Sequence, residues 1–91
     1  MNKLEFAIFK CIAKIYDETG READYTTLLK TLESDFPYIA ASHDISTIKR
    51  AARKMAEEGL LFRVEDGCYV PANWLRPQRK IVAQATLMEV I

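Results

Sequence analysis

The sequence predicts an α+β fold that is mostly helical and carries one short hairpin. Apolar residues recur at spacings of three and four in three stretches before Gly59, and two β-rich runs then flank an Asp-Gly pair. A chain of 91 residues, 49% of them hydrophobic, suffices for one domain with its own core. We expect that domain over residues 1–76, followed by an added C-terminal helix over residues 77–91.

The first helix is predicted between Leu4 and Tyr16. Its apolar stripe repeats at spacings of four, four and three and consists of Leu4, Ile8, Ile12 and Ile15. Gly20 follows three polar residues and can adopt the left-handed conformation that closes helices. We therefore expect this helix to end near Glu18.

The second helix is predicted to begin after Asp24, whose carboxylate can cap the free amides of the first turn. Its short apolar stripe contains Leu28, Leu29 and Leu32. Pro37 should end it, because the residue before a proline avoids the helical region. Residues 37–43 are then expected to form a connection, with Tyr38 and Ile39 packing back onto the core.

The third helix is predicted over residues 44–58, with Asp44 or Ser42 as its cap. Gly59 stands at the position that closes a helix. The apolar stripe is narrow and consists of Ile45, Ile48, Ala52 and Met55. The polar residues of this helix must therefore cover its sides and outer face.

A hairpin is predicted over residues 60–71, because Asp66-Gly67 between two β-rich runs is typical of a tight hairpin turn. The C-terminal helix has an apolar stripe of Ile81, Ala85, Met88 and Ile91. Its apolar surface exceeds what one small core can cover, so we expect these four residues to form a homodimer interface. The alternative is that this helix packs along the first helix of the same chain.

The charges are segregated although the net charge is zero, with 13 basic and 13 acidic residues. Residues 45–54 contain four basic residues and no acidic one, namely Lys49, Arg50, Arg53 and Lys54. A neutral surface helix normally interleaves both signs, so this block favours an anionic partner over a merely solvated face.

The order of helices, turn, helix and hairpin resembles the winged helix-turn-helix superfamily of DNA-binding proteins. The resemblance is carried by Ile45-Ser46-Thr47-Ile48-Lys49-Arg50, by the corner Glu57-Glu58-Gly59-Leu60-Leu61, and by Asp66-Gly67-Cys68-Tyr69-Val70. It implies a core of three helices, a two-stranded wing, and a recognition helix over residues 44–58 that lies in the major groove of double-stranded DNA.

The resemblance also implies which residues contact DNA. The recognition-helix positions that match are Ser46, Thr47, Lys49 and Arg50, and Arg53 and Lys54 are added as flanking cations. Arginine can donate two hydrogen bonds to guanine, and the flanking cations can neutralise phosphates. The wing tip, Glu65-Asp66-Gly67, departs from the family because it is acidic. Arg63 and Tyr69 are the remaining wing candidates for contact with the DNA backbone.

Other classes of function find little support. Cys11 and Cys68 are far apart in the sequence, and we expect both to be buried, reduced thiols. A structural zinc site needs about four ligands, and two Cys and one His are too few, so we expect no metal and no cofactor. His43 is expected to be an ordinary loop residue and not a catalytic base. We expect no enzymatic activity, because no nucleophile and base can be paired.

No apolar run approaches the roughly 18 residues of a membrane span, and the N-terminus lacks the apolar centre of a signal peptide. A cytoplasmic protein is therefore expected. The favoured hypothesis is a small transcriptional regulator that binds DNA as a homodimer. A winged-helix module that binds proteins instead of DNA is the alternative, and a hydrolase or ligand-sensing enzyme is a third, less favoured one.

Overall fold

The computed structural model describes residues 1–72 and shows an α+β fold that is mostly helical, as the sequence predicts. Four helices precede one antiparallel hairpin: α1 (Lys3–Thr19), α2 (Tyr25–Asp35), α3 (Pro37–Ser42), α4 (Ile45–Glu57), β1 (Leu61–Glu65) and β2 (Cys68–Pro71). The predicted C-terminal helix and the boundary after residue 76 lie outside the described residues. Among the helices of residues 1–72, none combines the length and apolarity that crossing a membrane requires.

Helix α1 begins at a capping box and ends at a left-handed glycine. The Asn2 side chain accepts from the Glu5 amide at 2.8 Å, and the Glu5 carboxylate accepts from the Asn2 amide at 3.1 Å. Gly20 has a φ of 70° and its amide donates to the Tyr16 carbonyl. The predicted first helix and its end are confirmed to within a few residues.

Helix α2 is capped by Asp24, as expected, through a 2.8 Å bond from the Thr27 amide. The predicted connection after it is wrong, because Pro37 opens the short helix α3. Proline suits the first position of a helix, where its missing amide has no partner to lose. Tyr38 is 87% exposed and does not pack onto the core, whereas Ile39 is half-buried against it.

Helix α4 is the predicted third helix. Asp44, not Ser42, caps it by accepting from the Thr47 amide at 2.8 Å, whereas the Ser42 hydroxyl donates to the Tyr38 carbonyl. Ile48, Ala52 and Met55 are buried, as their spacing predicts. Ile45 is 55% exposed and does not belong to the buried stripe.

The hairpin pairs Leu61 with Pro71 and has an irregularity between Arg63 and Glu65, where β1 bulges. Ala23, just before α2, exchanges two backbone hydrogen bonds with Tyr69, at 2.9 and 3.0 Å. β2 therefore lies between β1 and the residue that leads into α2. This pairing fixes the hairpin to the helices.

One core holds these elements together. It lies between α1, α2, α4 and the hairpin, and its fully buried side chains include Ile8, Ile12, Leu28, Leu32, Ile48 and Met55. Each aliphatic side chain removed from water in this way contributes about 1.5–3 kcal/mol before conformational entropy is subtracted. The core therefore fixes which face of α4 points outward.

Candidate nucleic-acid interface

The inner face of α4 determines the direction of its charged residues. Ile48, Ala52 and Met55 are at most 2% exposed and lie on one side of the helix. Each residue turns an α-helix by about 100°. Ser46, Arg50 and Arg53 therefore lie opposite the buried stripe, at spacings of four and three that place them in one row. We call these three residues the outer face of α4.

The outer face is exposed and carries two arginines. In residues 1–72, all ion pairs within 4.0 Å involve other cations, so neither Arg50 nor Arg53 has a carboxylate partner there. Ser46 is exposed as well, and its hydroxyl donates to the Asp44 carboxylate at 3.0 Å. Two guanidinium groups one turn apart thus face solvent with their donors available to a ligand.

Lys49 lies on one flank of the helix and is half-buried. Its Nζ atom lies 5.1 Å from the centre of the Tyr25 ring, within the range of a cation–π contact. Tyr25 opens α2, so this contact joins the two helices. Lys49 is less available to a ligand than the two arginines.

Lys54 lies on the other flank and faces acidic groups. Its Nζ atom is 3.7 Å from the Glu5 carboxylate and 4.0 Å from that of Glu58. Its side chain remains 61% exposed, whereas that of Glu5 is only 10% exposed. Part of the charge of Lys54 is therefore balanced within the molecule, and the cationic block is not uniformly free.

The N-terminal end of α4 is organised by Asp44. Hydrogen bonds from Thr47 and Ser46 lower the pKa of this carboxyl group, and the nearby charge of Arg50 lowers it further. Thr47 is half-buried. Because Asp44 already engages both residues, their donors are less available to a ligand than the arginines are.

At the hairpin tip, unlike on α4, the arginine is paired with an acid. The Arg63 guanidinium donates to the Asp66 carboxylate at 3.0 Å, and both side chains are exposed. Glu65 lies next to this pair and accepts a weak contact from the Cys68 thiol at 3.7 Å. The tip therefore carries a net negative charge, and its one arginine is partnered.

Tyr69 was expected to contact DNA, and the structure shows that its side chain is inaccessible. It is 1% exposed, and its hydroxyl lies 2.9 Å from that of Tyr25, with the two rings in an edge-to-face contact. Burial raises the pKa of Tyr69, and the hydrogen bond that its hydroxyl shares with the Tyr25 hydroxyl raises it further. Backbone pairing with Ala23 and the contact with Tyr25 hold this side chain inside the domain, so Tyr69 supports the hairpin instead of a ligand.

The remaining candidates are His43, the two cysteines and the predicted dimer residues. His43 follows α3, and its Nδ1 atom lies 3.1 Å from the Ile39 carbonyl oxygen. Both cysteines are free, as predicted. Cys11 is buried, which raises its pKa to about 12, while Cys68 is only half-buried. The predicted dimer residues Ile81, Ala85, Met88 and Ile91 lie outside the described residues.

Sequence reasoning missed two partners of the cationic block, Glu5 and Tyr25. They lie 49 and 24 residues away from Lys54 and Lys49 along the chain, so no local pattern indicates either contact.

No protein-family model, curated protein or solved structure matches the chain. Its function must therefore be inferred from the chemistry of its own surfaces.

Proposed function

We propose that this protein binds double-stranded DNA through the outer face of α4, as the recognition helix of a winged helix-turn-helix domain. The observation that carries the proposal is the pair Arg50 and Arg53, exposed on one face and without carboxylate partners in residues 1–72. Affinity for DNA comes largely from cations that replace counterions at phosphates. Arginine also reads guanine through two parallel hydrogen bonds.

The architecture supports this assignment. The α4 helix is held from behind by its buried stripe, so its outer face projects from the domain as a rigid ridge. An α-helix of this kind fits the major groove, whose width is about 12 Å. Lys49 and Lys54 flank the ridge on its two sides, where DNA strands would pass.

The acidic tip of the hairpin limits the mode of binding. Glu65 and Asp66 would approach phosphates unfavourably, so the hairpin is expected to stay outside the DNA grooves. Arg63 could contact a phosphate only after leaving Asp66, an exchange that costs little at an exposed ion pair. Affinity should therefore depend on α4 more than on the wing.

A role as a small transcriptional regulator follows from sequence-specific binding. The predicted homodimer would place two copies of α4 about 34 Å apart, one turn of DNA. Chain mass in solution tests this prediction independently of DNA binding.

The test is a fluorescence-anisotropy titration of the full chain with a mixed-sequence duplex at 50 and 200 mM salt. The variant Arg50→Ala/Arg53→Ala should bind at least about tenfold more weakly. Its salt slope should fall by up to about 2, because each lost phosphate contact removes about 0.9.

The control is Lys10→Ala/Lys14→Ala, which removes the same formal charge from α1 and also breaks the 2.8 Å ion pair between Lys14 and Asp35. Lys10 is five residues after Glu5, so it lies about 140° around α1 from the side that faces Lys54. We expect this control to bind nearly as the wild type does. If both variants lose the same amount of affinity, binding depends on total charge and not on α4. If the wild-type chain does not bind the duplex at all, the proposal is overturned.

A protein-interaction module is the second candidate, and one observation favours it. Phe62 and Val64 are 53% and 49% exposed on β1, beside the acidic tip. Within residues 1–72, the outer edge of β1 has no partner strand. Exposed apolar side chains on such an edge are typical of protein-binding surfaces. In this case no salt-sensitive complex with duplex DNA should form.

A further inference from the structure

A groove borders the N-terminal end of α4, where α3 and the start of α1 meet it. Its volume is about 640 Å³. Within residues 1–72, none of the side chains that line it is acidic, and six of them are polar: Asn2, Lys3, Tyr38, Ser42, His43 and Thr47. A lining with one lysine, several donors and no carboxylate fits an anion.

The groove lies on the same flank of α4 as Lys54. Thr47 lines the groove, and Lys54 follows it by seven residues, which is close to two full turns of the helix. The two positions are therefore nearly aligned and about 10 Å apart along the helix axis. Each strand of DNA carries one phosphate per about 3.4 Å of its axis, so a strand that passes Lys54 can also reach the groove.

Lys3 supplies the positive charge of the groove. It is exposed, and all ion pairs within 4.0 Å in residues 1–72 involve other cations. It opens α1, a helix held in place by the buried Leu4 and by the capping box of Asn2 and Glu5. The ammonium group can therefore exchange water for a phosphate without breaking an ion pair of the described residues.

Two neutral donors accompany Lys3. Tyr38 is 87% exposed, so its hydroxyl group is accessible from solvent. The side-chain oxygen of Asn2 accepts from the Glu5 amide, which leaves the NH2 group of the same side chain to donate elsewhere. One charged and two neutral donors can thus surround a single phosphate oxygen cluster.

The other three polar side chains are already engaged. The Ser42 hydroxyl donates to the Tyr38 carbonyl at 2.7 Å, and Thr47 is held at the cap of α4. His43 Nδ1 donates to the Ile39 carbonyl at 3.1 Å, because a carbonyl oxygen can only accept. A neutral imidazole of this form has only an acceptor at Nε2. These residues therefore shape the groove and do not supply its donors.

Two acidic residues are close to the groove along the chain, and both are held by donors. Glu5 belongs to the capping box of α1, and its carboxylate is 3.7 Å from the Lys54 ammonium. Asp44 accepts two hydrogen bonds at the start of α4. Their repulsion of a phosphate in the groove is reduced by these contacts.

We propose that this groove binds one phosphodiester group of the DNA backbone, with Lys3 as its cation and Tyr38 and Asn2 as hydrogen-bond donors. The proposal rests on the proposed function, because the phosphate belongs to the same duplex that α4 binds. It adds a contact from α1, outside the cationic block. A phosphate contact carries no base information but fixes the register of a protein on DNA. The start of α1 thus helps to position α4.

The test is the fluorescence-anisotropy titration of the full chain with duplex DNA at 50 and 200 mM salt, using Lys3→Gln and Lys3→Arg. Losing one phosphate contact lowers the salt slope by about 0.9, so the loss of affinity in Lys3→Gln should be about 3.5 times larger at 50 mM than at 200 mM. Lys3→Arg keeps the charge and should bind as the wild type does. Full affinity in Lys3→Gln would overturn the proposal.

The matched control is Lys10→Gln. Lys10 follows Lys3 by seven residues, so it lies on nearly the same face of α1, about 10 Å further along, and it does not line the groove. We expect its affinity and salt slope to stay close to those of the wild type. Equal effects of Lys3→Gln and Lys10→Gln would show that only total charge matters, which contradicts a site in the groove.

Tyr38→Phe tests the neutral part of the site by removing one exposed hydroxyl. It should weaken binding about two- to fivefold, by about the same factor at both salt concentrations, because a neutral donor releases no counterion. Unaltered binding would contradict the role given to this hydroxyl.

The arginine variant of α4 separates this proposal from the proposed function. If Arg50→Ala/Arg53→Ala binds weakly and Lys3→Gln binds fully, the groove is refuted and α4 keeps its role. The reverse result would support the groove and refute α4 as the recognition helix. A wild-type chain that does not bind the duplex would overturn both.

Inorganic phosphate serves as the last probe. Titrated into the chain at constant ionic strength, it should cause no saturable change in the amide shifts of residues 2–4 and 38–43, because the proposed ligand is held in place by the rest of the duplex. A saturable change would make the groove a site for free phosphate and overturn the proposal.

Discussion

The outer face of α4 and the tip of the hairpin both expose arginine, but only the arginine of the hairpin tip is paired with a carboxylate in residues 1–72. Arg50 and Arg53 have no carboxylate partner in residues 1–72, whereas Arg63 is held by Asp66 at 3.0 Å. The difference comes from local geometry. Residues 45–54 of α4 contain no acid, while the tight turn of the hairpin brings Arg63 and Asp66, three residues apart, into contact.

Counting basic residues alone would not distinguish the unpaired arginines of α4 from the paired arginine of the hairpin. The arginines of α4 can exchange solvent for phosphate without breaking an internal ion pair. The arginine of the hairpin must first leave its partner, next to a second acid. Binding to a polyanion should therefore be concentrated on α4, and variants of the two regions should respond differently.

The largest effect is expected from the face of α4 that points inward. Ile48→Ala removes a side chain that is 2% exposed and should lower the free energy of unfolding by about 2–5 kcal/mol. Arg50→Ala on the opposite face should change it by no more than about 0.5 kcal/mol. Urea unfolding of both variants measures this, and similar losses would mean that Arg50 has a structural role.

The support of the hairpin should show the next largest effect. Tyr25→Phe leaves the buried hydroxyl of Tyr69 without its partner and should cost about 1–3 kcal/mol. Tyr69→Phe removes the buried hydroxyl itself, and the half-buried Tyr25 hydroxyl can turn to water, so its cost should be smaller. Urea midpoints of the two variants check this order, and the reverse order would contradict the buried assignment of Tyr69.

Charge at the hairpin tip should have a moderate effect on DNA affinity. Asp66→Asn keeps a good turn residue before Gly67, frees Arg63 and removes one negative charge. We expect duplex affinity to rise a few-fold and the salt slope to increase by up to about 1. Adding Arg63→Ala should cancel the gain, and an unchanged affinity in Asp66→Asn would place the hairpin far from the DNA.

The smallest effect concerns the cap of α4. Hydrogen bonds that favour the ionised form hold the pKa of Asp44 below its ordinary value. Its contribution to stability is complete above the pKa of the unfolded chain and is lost as the pH falls through the lower folded value. The fall in urea midpoint between pH 7 and pH 3 should therefore be smaller in Asp44→Asn than in the wild type.

Asp24, which caps α2 in the same way, provides the comparison for that experiment. Its pKa is also lowered, first by the bond from the Thr27 amide. Asp24→Asn should behave like Asp44→Asn. If acid sensitivity is the same in all three proteins, the caps contribute nothing to it.

The sequence predicted the parts of this fold that depend on local patterns. The caps Asp24 and Asp44, the closing Gly20 and the stripe of Ile48, Ala52 and Met55 all follow from short-range rules. Helix α3 was missed because six residues carry too little periodicity and Pro37 was interpreted only as a stop. Its residues are not buried, so no apolar stripe marks it.

Contacts between residues that are distant along the chain could not be predicted from the sequence. The inward orientation of Tyr69 depends on pairing with Ala23 and on the hydroxyl of Tyr25, 44 residues away. The charge of Lys54 is moderated by Glu5, which local spacing does not bring near α4. The residue types alone predicted the cationic block. Only the packing shows that two of its four cations, Arg50 and Arg53, face solvent without a carboxylate partner in residues 1–72.

The most direct test is chemical-shift mapping of the full chain during titration with duplex DNA. DNA binding through α4 requires the largest changes at the amides of residues 45–54 and at the guanidinium groups of Arg50 and Arg53. The tip at residues 64–67 should change least among the exposed charged regions. Large changes at the hairpin with an unperturbed α4, or no changes anywhere, would contradict this interface.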